Sequence, residues 1–154
     1  MSESKGESKR DNDYKGSKDD RIVEIDVKDI RIPSERDETL LMSPLDIEVD
    51  FNLDCDVNNA QWCLKLLVDC AMSRQIKILG ETKITEYNRG SNTFEYSIEH
   101  IDLSGFKKST LANAGLLMMG LEVNGEEIAT INLVVDVTKN KEGRLLRTIL
   151  NPLD

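Results

Sequence analysis

Few residues in this sequence have the type and spacing to do chemistry. His100 is the one histidine among 154 residues, so a Ser/His or Cys/His nucleophile pair has a single candidate base. It stands in Glu99-His100-Ile101-Asp102, after a run of strand character, where a surface or hydrogen-bonded histidine is the default. Cys55, Cys63 and Cys70 are odd in number and lack C-x-x-C spacing, which suits buried or half-buried thiols better than a zinc site. Free thiols fit a reducing compartment. The acids Asp46, Glu48, Asp50, Asp54 and Asp56 raise the question of calcium. The first three alternate along one strand face and cannot converge on an ion, so only Asp54 and Asp56 remain. There is no Gly-rich phosphate loop, no H-E-x-x-H and no G-x-S-x-G. We therefore expect no enzyme, no catalytic residue, no cofactor and no metal.

The charge points the same way. With 20 Lys and Arg against 29 Asp and Glu the net charge is −9. Direct binding of duplex nucleic acid needs clustered cations to displace counterions, and this chain is not built that way. An acidic surface instead steers basic partners or keeps the protein soluble. No apolar run approaches the roughly 20 residues needed to cross a bilayer, and the N-terminus shows no signal-peptide core. Ser2 follows Met1, where a myristoyl signal requires Gly. The expectation is an intracellular protein, nuclear, cytoplasmic or both, without a membrane partner and monomeric when free.

Two segments divide the chain. Residues 1–20 contain Tyr14 but no aliphatic residue beyond Met1, so they read as a disordered tail. Residues 21–154 read as one β-sandwich domain, because apolar residues there recur with period two. Ile22 to Val27 opens it, with Ile30 and Ile32 following. Leu45, Ile47, Val49, Phe51 and Leu53 alternate with polar residues, which is the pattern of a half-buried antiparallel strand. Trp62, Leu64, Leu66 and Val68 form the inward face of the next. Ile76–Leu79 and Thr82–Thr85 predict short strands, and 89–92 a turn into Phe94, Tyr96 and Ile98. Residues 101–113 predict a connection. Leu116–Val123 and Glu127–Val137 predict a hairpin around Asn124-Gly125-Glu126. Gly143–Leu150 predicts a short helical turn. About eight strands without any helical period imply an all-β, antiparallel sandwich of immunoglobulin type.

Taken in order over residues 21–152, these segments resemble the anti-silencing-function histone chaperones. The resemblance rests on Pro44–Phe51, on Asn59-Ala60-Gln61-Trp62, and on the strand Cys63–Val68. It continues through Gly90-Ser91-Asn92-Thr93-Phe94-Glu95-Tyr96, the hairpin 116–137 with its Gly125-Glu126 turn, and Arg147-Thr148-Ile149-Leu150-Asn151-Pro152. It implies an immunoglobulin-like sandwich that binds the dimer of histones three and four. Several functional positions differ. The family places two acids just before the Trp, where this chain has Asn59 and Gln61. The family's histone-gripping Arg and second Tyr are Thr130 and Val134 here. Divergent chaperone, relative with another partner, and convergent sandwich are all compatible with that pattern.

Hairpin geometry suggests a surface independently. A three-residue turn at 124–126 sends Leu117, Met119, Leu121, Ala129, Ile131 and Leu133 into the core. Leu116 and Met118 then face outward beside Thr130, Asn132 and Val134, an apolar cluster suited to a protein partner. With Asn59 and Gln61 from the resemblance, these form the expected partner-binding set. Two functions follow: a histone-chaperone-like module, or a non-histone adaptor or scaffold sandwich. A lipid- or calcium-binding sandwich is a third, which a cavity or calcium-dependent melting would reveal.

Overall fold

The alternation at 45–53 is realised as a strand with one wet and one dry face. Leu45, Ile47, Val49, Phe51 and Leu53 are buried, and every residue between them is half-buried. The computed structural model describes residues 22–69, 74–112 and 115–153. The proposed tail, residues 1–20, lies outside the described residues, as does Cys70. Within them ten strands and one helical turn follow in order. They are β1 (Ile25–Arg31), β2 (Thr39–Leu40), β3 (Leu45–Leu53), β4 (Val57–Asp69), β5 (Arg74–Glu81) and β6 (Thr85–Tyr87). Then come β7 (Gly90–Ile98), α1 (Lys108–Leu111), β8 (Gly115–Val123), β9 (Glu126–Lys139) and β10 (Leu145–Leu150).

Two antiparallel sheets pack face to face. The smaller runs β1-β3-β7; the larger runs β2-β10-β9-β8-β4-β5, with β6 also on β4. Strands 1, 3 and 7 occupy the A-B-E places of an immunoglobulin-type sandwich, and 9, 8 and 4 the G-F-C places. β10 and β2 extend the larger sheet beyond them. The core between the sheets centres on Trp62, whose ring stacks on Phe94 at 4.4 Å and meets Phe51 edge-on at 5.3 Å. Such aromatic pairs add about 0.5–1.5 kcal/mol beyond the area they bury. Leu133, Leu121 and Met119 close the core from β9 and β8.

Several expectations need correction. The segment Gly143–Leu150 is no helical turn: residues 145–150 are β10, paired along β9 from Leu145↔Lys139 to Leu150↔Val134. The strand expected at Thr82–Thr85 begins only at Thr85, because Thr82 is held to β4: its amide donates to the Trp62 carbonyl and its hydroxyl accepts from the Trp62 amide. β1 starts at Ile25, three residues after the expected opening. The hairpin turn has two residues, not three. Asn124 and Gly125 take φ of 54° and 81°, the left-handed pair of a type I′ turn. A bulge between Leu121 and Glu122 then shifts the ladder by one, pairing Leu121 with Ala129, Met119 with Ile131 and Leu117 with Leu133. The expected inward and outward faces are thus correct for a different reason.

The wet face of the small sheet is organised around Arg31. Its guanidinium donates to Asp50, Glu48 and Asp29 at 2.6–3.1 Å. Asp50 also accepts from the Thr93 hydroxyl at 2.8 Å. The hydrogen bonds from Arg31, then Thr93, hold the Asp50 carboxyl down to about 2, from an ordinary value of 3.8. A depressed carboxylate contributes stability above its unfolded pKa and loses it as pH falls through the folded one. This contribution is therefore complete above about pH 4 and fades toward pH 2. In a carboxyl-carbon NMR titration Asp50 should have its midpoint near 2, moving up in Arg31→Ala. An ordinary midpoint in the unaltered protein would show that the cluster does not persist in solution. The two aspartates considered for calcium are engaged by backbone: Asp54 accepts from the Glu24 amide and Asp56 from the Arg89 amide. Among the described residues no group of three or more His, Cys, Asp or Glu is placed to hold a metal ion. No helix among them is long and apolar enough to cross a membrane.

Candidate functional site: the outer face of the large sheet

In an antiparallel sheet, residues directly opposite one another share a face. Following the ladder across the large sheet from Val134 gives one continuous row. Leu150 pairs with Val134, Val134 with Leu116, Leu116 with Leu67, and Leu67 with Ile76. All five side chains are apolar and all point away from the core. Val134, Leu150 and Ile76 are 41%, 46% and 57% exposed; Leu116 and Leu67 are half-buried. The next row holds Asn132, Met118, Lys65 and Ile78. An apolar band therefore crosses five strands, where water is excluded only partly.

The rows nearer the hairpin turn change character. Thr130 pairs with Gly120, Gly120 with Cys63, and Cys63 with Glu81. The row beyond pairs Glu127 with Glu122 and Glu122 with Gln61. Gly120 leaves the space that Glu127 occupies, since a Cβ there would lie 2.8 Å from its Oε1. The Thr130 hydroxyl donates to the same carboxylate, fixing it over the sheet. Cys63 lies beneath this layer, only 3% exposed. Burial pushes its thiol up, Lys65 opposes, and Glu81, Glu122 and Glu127 add to the rise. The face thus runs from an apolar band to an acidic end of three carboxylates.

The expected partner-binding residues divide in two. Leu116, Met118, Asn132 and Val134 sit together in the band, with Thr130 at its acidic border. Asn59 and Gln61 are placed farther along, and their side chains serve the fold. Asn59, at φ 55°, forms a bulge in β4; its Nδ2 donates to Asn124 Oδ1 while its carbonyl accepts from the Asn124 amide. Gln61 Nε2 donates to the Thr82 carbonyl at 2.9 Å. The sequence reasoning missed Leu67, Ile76, Ile78 and Leu150. One signal was available for Leu67: the adjacent apolar residues Leu66-Leu67 put one apolar side chain on each face of β4. Compared with protein-family models and with curated proteins, the chain matches none.

Proposed function

We propose that the chain is a protein-binding module whose docking surface is the outer face of the large sheet. One observation carries this: the five-residue apolar row Leu150-Val134-Leu116-Leu67-Ile76, bordered by Glu81, Glu122 and Glu127. Apolar area supplies affinity, and the carboxylates with a net charge of −9 steer a basic partner. A basic amphipathic segment fits both parts, laying its apolar side on the row and its cations toward the turn. The resemblance stated above makes the dimer of histones three and four the first partner to try, within a nuclear or cytoplasmic setting. A second reading, a non-histone adaptor or scaffold, is favoured by Thr130 and Val134, which put a small hydroxyl and an apolar group where that family grips histones.

Calorimetric titration with the purified histone dimer, beside unbiased capture from nuclear extract, tests both. Histone binding is expected to weaken by about 2–4 kcal/mol in Val134→Asp, because docking would desolvate the new carboxylate. Failure of the histone dimer to bind, with capture of another protein that Val134→Asp abolishes, favours the adaptor. Binding of every partner unchanged by Val134→Asp would remove this face from consideration.

A further inference from the structure

At the end of the sandwich opposite the 124–125 turn, three segments distant in sequence enclose a cleft of about 540 Å³. Residues 40–43 form one wall, the connection 100–111 a second, and 144–145 a third. Backbone hydrogen bonds join them: the Leu41 amide donates to the Leu145 carbonyl at 3.0 Å and the Ile101 amide to the Met42 carbonyl at 3.3 Å. The floor is apolar and belongs to the core, since Leu41, Leu103 and Leu111 are 4%, 1% and 6% exposed. Phe106 adds an aromatic side wall. The volume lies within the range of small-ligand sites, roughly 300–1,000 Å³.

The charge of the lining is the reverse of the molecule's. His100, Lys108 and Arg144 line the cleft, and among the described residues no carboxylate does, although the chain as a whole carries −9. Lys108 Nζ lies beside Gly143, 3.8 Å from where a Cβ would stand, so Lys108 and Arg144 share one side of the mouth. The nearby Asp102 turns its carboxylate to Ser104, accepting from its amide at 3.1 Å and its hydroxyl at 2.7 Å. An apolar floor under a cationic rim selects a molecule with an alkyl or aryl body and an anionic head. A neutral lipid leaves the cations without a partner, and an inorganic anion leaves the floor uncovered.

We propose that this cleft binds a small amphipathic carboxylate, its chain on Leu41, Leu103 and Phe106 and its head among His100, Lys108 and Arg144. This site is separate from the docking face and does not depend on that reading. Decanoate, below the concentration at which it forms micelles, is the probe, titrated into the full chain by calorimetry and followed by amide NMR. Saturable one-site binding is expected, with shifts concentrated in residues 40–43, 100–111 and 144–145. Decanol should bind at least tenfold more weakly, and the exposed pair Lys108→Glu/Arg144→Glu should lose tenfold or more while melting normally. Val134→Asp should bind decanoate as the unaltered protein does, whatever happens to protein partners. Equal affinity for decanoate and decanol, no saturation, or shifts centred on Leu116 and Val134 would each overturn the proposal.

Discussion

Replacing Arg147 by Met is expected to cost about 3–5 kcal/mol of stability, a large part of the roughly 5–15 kcal/mol of an ordinary domain. The Arg147 side chain is 1% exposed, and its guanidinium is fully engaged. Nε and Nη2 donate to Glu35 at 2.7–3.2 Å, Nη1 to the carbonyls of Leu41 and Ser43, and Nη2 also to that of Pro44. Met conserves much of the volume yet leaves a carboxylate and three carbonyls without their donor. The penalty is the desolvation of those groups and not the net worth of the pair. Arg147→Lys keeps the charge but not the planar fork, so it should recover only part of the loss. Urea unfolding of the three proteins checks the order Arg, Lys, Met. A loss below about 1 kcal/mol in Arg147→Met would show that water replaces the guanidinium at little cost.

Neighbouring residues on β9 should give the sharpest contrast. Leu133 is fully buried against Leu117, and Val134 beside it is 41% exposed. Leu133→Asp puts an unpaired charge in the core and is expected to abolish the folded state, as read by loss of near-ultraviolet circular dichroism. Val134→Asp should stay within about 0.5–1 kcal/mol of the parent, because an outward side chain contributes little packing. If Val134→Asp unfolds and Leu133→Asp does not, the hairpin register is off by one residue.

Where one face is dry and the other wet, the sequence states the strand openly. β3 is such a case, with polar residues at every second position, and so is the inward face of β4 from Trp62 to Val68. β10 defeated the same reading for a physical reason. Leu145, Leu146, Ile149 and Leu150 fall at helical spacing, while the one polar residue at an inward position is Arg147, which is buried by its partners in 35–44. Its outward Leu146 and Leu150 are apolar because Leu40 and Val134 lie beside them. The band shows the same limit. Leu116, Met118 and Val134 belong to one hairpin and follow from its turn, whereas Ile76 and Leu150 join only through pairings that no local pattern specifies. The cleft was less legible still, since its walls come from three segments distant in sequence whose meeting is a tertiary fact.

The contacts of Arg147 also constrain how the chain can be made. They reach back 103 to 112 positions, to Pro44 at one limit and Glu35 at the other. On a ribosome adding about 5–20 residues each second, β1 and β3 emerge seconds before the side chain that fastens the segment between them. Until then the 35–44 segment lacks the donor for its carboxylate and carbonyls, whereas the inner face of the small sheet is open only until β4, β8 and β9 bring Trp62, Met119, Leu121 and Leu133 over it. Nascent protein that has not yet completed β8 and β9 presents the apolar faces of β1 and β3 to its surroundings. That is the stage at which a chaperone that holds unfinished chains has something to grip, and at which a slow codon would prolong the exposure.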